Sequence, residues 1–239
     1  EDVWAATLLE NPELMAFSHE VRASEARHLQ SKKLPNPVLE MGIDEYNRDG
    51  AGFDSAEVSV ALGQLFELGG KRGWRTRVAE AEQQLAGWDY ESMRVKVYTE
   101  TAQRFTAVMA AKRHVDLAQS TVELFEQMSR AVQERVEAGK EAPLQALKAN
   151  AELELARLDV SDAEVNLLVS HKMLAGMWGT ETVTFSEVEG DLDAVAAALP
   201  ALADLRGLLE NNPDLARWDA EIRLQQAAAS SERAARVPD

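Results

Sequence analysis

Residues Leu65–Glu82 read LFELGGKRGWRTRVAEAE, and the spacing of the apolar side chains changes inside this stretch. Upstream of Gly69-Gly70 the run Ser55–Glu67 alternates: Val58, Val60, Leu62 and Phe66 share one face, and Glu57, Ser59, Ala61 and Gly63 the other. A period of two is that of a strand with two unlike faces. Downstream, apolar or small residues recur at intervals of three and four, from Trp74 through Val78, Ala81, Leu85 and Trp88 as far as Val136. Only Ser92 and Thr99 interrupt them, and no proline intervenes. That spacing predicts one amphipathic helix from Lys71 to Val136. At 1.5 Å per residue it is a rod of about 95–100 Å, several times the diameter of a small domain. The paired glycines between the two patterns permit an abrupt change from strand to helix.

Val38–Tyr46, VLEMGIDEY, also alternates, and NRDGAGFD at positions 47–54 supplies loop residues between the two runs. The pair reads as a β-hairpin within residues 37–70, where six of the 13 glycines fall. Each run has about the 9–11 residues of a tilted membrane-spanning strand, and two strands alone must find further partners. Ahead of the hairpin, Leu8–Leu34 reads as a helix with Asn11 as N-cap and Pro12 at its first position, ended by LPNP at Leu34–Pro37. Beyond the long helix, Gly139 and Pro143 break the chain. A return helix follows over Pro143–Trp178, with Leu144, Leu147, Ala151, Leu155, Leu158, Val165 and Leu168 expected on its buried side.

The beginning of the chain is repeated near its end. LLENPELMAF at Leu8–Phe17 is echoed by LLENNPDLARW at Leu208–Trp218, Val21-Arg22 by Ile222-Arg223, and Leu34-Pro35-Asn36 by Val237-Pro238-Asp239, at an offset of 201 growing to 203. The repeat unit is therefore about two hundred residues. A second copy of the opening helix is expected from Leu208, about 45 Å long. Placed end to end with the return arm of about 54 Å, it spans nearly the length of the long helix. Residues 179–207 form the connector, with a short strand at Thr182–Phe185 and an alanine-rich stretch at Asp193–Asp204.

Composition excludes several classes. The net charge is −16, from 41 acidic and 25 basic residues, which argues against a nucleic-acid binder and reads as a solvated acidic surface. No apolar run approaches the roughly 18 residues of a membrane-spanning helix, and Glu1-Asp2-Val3-Trp4 does not begin a signal peptide, so a mature or trimmed product is expected. The chain has no cysteine, hence no disulfide or thiolate metal site. No serine elbow, phosphate loop or zinc signature occurs, and the four histidines are scattered. Glu25 and His28 have the spacing of a di-iron helix motif, but the motif occurs once and reads as coincidence on a charged face. Trp74, Trp88, Phe105 and Phe125 read as core. No catalytic residue, cofactor or metal site is expected.

Three stretches carry a family resemblance: NPELMAFSHEVRASEARHLQSKKLPNP before the hairpin, LFELGGKRGWRTRVAEAE after it, and RVEAGKEAPLQALKANAELELARLD at the helical turn. Together with the repeat, they make the chain resemble the TolC family of outer-membrane channel proteins. ELGGKR and the AGK–P turn resemble its heavy-metal resistance-nodulation-division branch. The resemblance implies a mainly α fold of helical-barrel type, a long antiparallel helical hairpin with one β-hairpin destined for a trimeric transmembrane barrel.

Further implications concern role and layout. The expected organisation is a first helix (1–36), barrel hairpin (37–70), periplasmic helical hairpin (71–178) with its tip at 135–147, equatorial connector (179–207) and opening helix of a second repeat (208–239), part of a longer protein. Val58, Val60, Leu62 and Phe66 would face the lipid of the outer membrane. Lys71, Arg72, Arg75 and Arg77 would sit at the interface just below it. Arg135, Gly139, Lys140, Pro143, Leu144 and Leu147 would form the adaptor-binding tip, where Gln145 stands in place of the aspartate of many relatives. The implied function is that of a non-enzymatic channel subunit of a tripartite efflux system in the Gram-negative outer membrane and periplasm, a homotrimer passing small solutes or metal ions from an inner-membrane pump through a periplasmic adaptor. The alternative is an adaptor or structural coiled-coil protein without channel activity.

Overall fold

Asparagine followed by proline opens the principal helix in both copies of the repeat. In a computed structural model of the chain, which describes residues 3–44, 57–183, 185, 188–190 and 201–239, helix α1 spans Val3–Glu10 and α2 spans Pro12–Ser31. Strands β1 (Val38–Asp44) and β2 (Glu57–Gly63) follow, then α3 (Lys71–Glu137), α4 (Pro143–Ala175) and a 3-10 turn at Gly176–Trp178. The last segments are α5 (Leu202–Leu208), a 3-10 turn at Leu209–Asn211, and α6 (Pro213–Ala234). The mainly α reading holds, and α3 runs unbroken for 67 residues.

The opening helix starts at Pro12, because proline has no N–H to lose there and Asn11 Oδ1 accepts the N–H of Leu14 at 3.0 Å. Asn212 does the same for Asp214 at 2.8 Å. The helix expected from Leu208 is corrected accordingly: α6 begins at Pro213, and α5 with its 3-10 turn precedes it as α1 precedes α2. At Thr182–Phe185, residues 182, 183 and 185 are not in a strand, and 184 lies outside the described residues. So do the loop at 47–54 and most of the alanine-rich stretch, positions 193–200.

Residues 1–15 and 93–207 form one compact unit. In it α3 and α4 meet along a seam of mostly small side chains. On α3, Val97, Thr101, Val108, Val115 and Ala118 are buried; on α4, Ala156, Ala163 and Leu174. Val115, Ala118 and Ala163 touch, with Val160 and Leu167 packed against them. Read with the half-buried positions between them, both rows step by three and four, a heptad spacing that brings two helices side by side. Arg104 Nη1 donates to the Met173 carbonyl at 2.5 Å, and Arg157 pairs with Glu126 at 3.1 Å. Asn11 ties α1 into this unit, its Nδ2 donating to the Met177 carbonyl at 2.7 Å, and Trp4 stacks on Tyr98 at 4.2 Å.

The buried side expected for α4 is corrected. Leu144, Leu147, Ala151, Leu155, Leu158, Val165 and Leu168 are all exposed, and the seam is made by Leu153, Ala156, Val160, Ala163, Leu167 and Leu174 instead. Helix α4 is apolar on two sides, so periodicity alone does not choose between them. The alanine side approaches α3 because small residues let two backbones come close, which leaves the bulky leucines outward. On α3, Trp88, expected in the core, is likewise exposed, as are Val95 and Met128 on the same apolar spacing.

Residues 16–92 and 208–239 form the second unit. Here both copies of the opening helix lie along the start of α3. His28 Nδ1 meets Gln83 Oε1 at 2.7 Å and Thr76 Oγ1 donates to the Ser31 carbonyl at 3.3 Å; Arg217 pairs with Asp89 at 2.6 Å, and Ser92 bonds Asp214. The lone Glu-x-x-His pair therefore has a structural use for its histidine.

The seam makes a direct prediction. Leu174 is 0% exposed and Leu158 is 62% exposed, so Leu174→Ala should cost about 2–5 kcal/mol and Leu158→Ala within about 0.5 kcal/mol when this chain is unfolded in urea. Equal losses would place the seam on the other side of α4.

Candidate functional site

The β-hairpin sorts its residues by chemistry once the register is known. In the antiparallel pair Leu39 stands opposite Leu62, Met41 opposite Val60, and Ile43 opposite Val58. Partners share a face, so these six make one wholly apolar surface, each of them more than half exposed. The opposite face holds Val38 with Gly63, Glu40 with Ala61, Gly42 with Ser59, and the Asp44–Glu57 position. Val58, Val60 and Leu62 share one face, as their alternation predicts. Leu39, Met41 and Ile43 were missed, although their alternation is plain, because only the pairing shows which β1 face matches which β2 face. Phe66 is corrected: β2 ends at Gly63, and the Gln64 side chain turns to donate to the Pro35 and Leu65 carbonyls at 2.9 and 3.1 Å. Phe66 therefore lies past the strand and exposed.

The strand-to-helix joint is built on left-handed backbone. Gly69 and Gly70 have φ of +63° and +74°, values that side chains with a Cβ resist. At Gly69 space adds a second constraint, since a Cβ there would lie 2.7 Å from Val237 Cβ. Asp239 Oδ1 accepts the N–H of Leu68 at 2.8 Å and pairs with Lys71 Nζ at 2.7 Å. The Lys71 hydrogen bond, and after it the Leu68 N–H, hold this carboxyl below its ordinary value. Arg75 bonds the Ser31 and Lys33 carbonyls at 3.3 and 3.1 Å and pairs with Glu67, while Arg77 lies 4.5 Å over the Trp74 ring. Lys71, Arg75 and Arg77, expected at a membrane interface, thus have partners within the protein.

At the far end of α3 the chain reverses through a Schellman turn. Gly139 has φ +70°; its N–H donates to the Val136 carbonyl at 2.9 Å, and that of Lys140 to Arg135 at 2.8 Å. These two bonds satisfy the last carbonyls of the helix. Pro143 starts α4 behind an extended Ala142, and Arg135 reaches across the turn to Glu141 at 2.9 Å. Arg135, Gly139, Lys140, Pro143, Leu144 and Leu147 are all exposed, so the structure gathers the expected tip residues on one turn and the first helical turns beside it. A Cβ on Gly139 would meet nothing within 4 Å, which leaves its backbone angle as the constraint. Among the described residues, no group of three or more histidines and carboxylates is placed to hold a metal, and no helix is long and apolar enough to cross a membrane.

Comparison with known proteins places these features. The sequence profile of the outer membrane efflux protein family matches residues 4–180. The cobalt-zinc-cadmium resistance protein CzcC of Cupriavidus metallidurans is 30% identical over 96% of this chain and 53% of its own length. The nickel-cobalt-cadmium resistance protein NccC of Alcaligenes xylosoxydans xylosoxydans is 26% identical over 95% of this chain and 52% of its own. The chain thus spans about half the length of these relatives. Among solved structures, CusC superposes with a TM-score of 0.81 at 16% identity, covering 98% of this chain and 56% of that one. The open-state MtrE outer membrane channel of Neisseria gonorrhoeae gives 0.77 at 16%, covering 98% and 54%. With the family profile spanning most of its residues and the fold matching, this chain belongs to the outer membrane efflux protein family.

Proposed function

We propose that the chain is part of an outer-membrane channel subunit, a passive conduit that carries small solutes or metal ions across the periplasm and outer membrane of a Gram-negative cell. The observation that carries this reading is the hairpin register: six apolar residues on one face and, apart from Val38 at its end, polar or small residues on the other, leading through two glycines into a 67-residue helix. A sheet of this kind suits a barrel wall with lipid on one side and a wet lumen on the other. Closure is needed because an open edge in hydrocarbon leaves backbone groups without partners. One hairpin cannot close, and the family supports a homotrimer as the solution. Metal ions are favoured as cargo by the names of the relatives, which are resistance proteins for cobalt, zinc, cadmium and nickel. No chemistry is assigned to the chain; energy and selection belong to an inner-membrane pump, reached through a periplasmic adaptor at the Arg135–Leu147 tip.

Two measurements on the full-length protein test this reading. Val60→Lys on the apolar face should oppose barrel insertion by about 2–4 kcal/mol if it lies near mid-membrane, whereas Ser59→Lys on the opposite face should insert normally; equal behaviour in a folding titration into lipid vesicles would contradict the lipid-facing assignment. At the tip, Gly139→Val should strain the left-handed position by about 1–2 kcal/mol and reduce metal export at matched amounts of outer-membrane trimer, with crosslinking from Lys140 to the adaptor reduced in parallel. Normal export, with no adaptor crosslink from any position between Arg135 and Leu147, would place the docking surface elsewhere.

A further inference from the structure

The connector crosses the α3–α4 seam at Phe185, Val188 and Gly190. The Phe185 and His171 rings meet in a T-shape, centroids 5.3 Å apart and planes at 81°, and the Trp178 ring lies 5.8 Å from Phe185. Val188 lines a cleft of about 160 Å³ together with Val108, Val115 and Leu167 of the seam and with Lys112 and His171. Gly190 sits directly on α3: a Cβ there would lie 2.8 Å from Met109 Sδ and Cε and 3.3 Å from the Phe105 ring. The connector therefore bridges the two helices, with Phe185 on α4 and the turn that follows it, and Gly190 on α3.

Valine, methionine and phenylalanine contacts carry no charge at any pH. His171 is the exception in this strap. Its imidazole is half-buried, and among the described residues no carboxylate pairs with it. The charged groups around it are Lys112 and Asp116 of α3, which line the same cleft, Glu189 of the connector, which lines the neighbouring one, and Lys172, next along α4. Burial, and after it the Lys112 ammonium, holds the ring below its ordinary value of about 6.5. A group lowered in the closed form takes up a proton on release. The closed strap thus has its full stability above about pH 6.5 and loses it as pH falls from there through the lowered value.

We propose that the connector is an acid-released strap: it closes over α3 and α4 while His171 is an uncharged imidazole, and lets go of them when the ring becomes imidazolium. Release hydrates the charged ring and frees the two helices of a segment that bridges them. The strap lies wholly within this chain, so its test does not depend on the channel reading.

NMR of this chain on both sides of the histidine range, at about pH 8 and about pH 5, tests the proposal. The Met109 methyl and the Gly190 α-protons should share a nuclear Overhauser contact at the higher pH that weakens severalfold at the lower, with the His171 ring titrating below about 6.5. The seam contact of Val115 with Ala163 should persist at both, which marks the loss as local. His171→Phe keeps a ring against Phe185 and cannot be protonated, so it should hold the Gly190 contact at both pH values. Where that variant lacks the contact at both, Lys112→Gln decides: it should move the His171 titration toward the ordinary value and reduce the loss, and no change in either overturns the proposal. A wild-type Gly190 contact that is the same at both pH values, or stronger at the lower one as a cation–π pair of His171 with Phe185 would make it, also overturns it. So does an equal loss in His171→Phe, or loss of the seam contact along with the strap.

Discussion

A two-stranded sheet has two open edges, and each carries N–H and C=O groups that hydrocarbon cannot hydrate. The hairpin of β1 and β2 adds an apolar face of six exposed side chains, so neither bulk water nor lipid suits it alone. Pairing of both edges in a closed sheet satisfies the backbone and gives the apolar face a solvent at once. Much of the remaining structure answers to that requirement. The glycine joint turns the chain sharply out of the sheet, Arg75 and Lys71 hold the joint against the ends of α2 and α6, and α3 leads away from it without interruption.

The helical part carries the same signature of incompleteness. Alanines and valines form the α3–α4 seam, while Leu144, Leu147, Leu155, Leu158, Val165 and Leu168 stay outside it. A helix with one apolar side is finished once it meets a neighbour. Helix α4 has two, and large residues line the one left over. That arrangement fits a wall in which each hairpin has helical neighbours on further sides, and it accounts for the many exposed leucines among the described residues.

Legibility in the sequence followed the strength of the local signal. The long helix was plain, since over sixty residues pass without proline and the apolar spacing scarcely lapses. Asn-Pro marked the start of α2 by a mechanism, the Asn11 side-chain oxygen accepting a first-turn N–H while Pro12 has none to satisfy, but the same signal at Asn212-Pro213 was passed over for Leu208. Gly139 was readable as a helix stop for the same kind of reason. What the sequence did not reveal depended on partners. Periodicity could not say which apolar side of α4 meets α3, because both sides repeat alike. The end of β2 escaped because Leu65 and Phe66 look like strand residues, and the turn is set by the side chain of Gln64 reaching Pro35. The partners of Lys71 and Arg75, Asp239 and Glu67, were not legible, because they depend on how the folded chain places these side chains.

The central claim is that one face of the hairpin meets lipid and the other does not. Single fluorescent labels at positions 59 and 60 of the full-length protein, reconstituted in vesicles of brominated lipid, test it most directly. The account predicts strong quenching at position 60 with little at 59, while a water-soluble quencher added to the vesicles reaches 59 preferentially. Equal lipid quenching at both positions, or the reverse order, would contradict it.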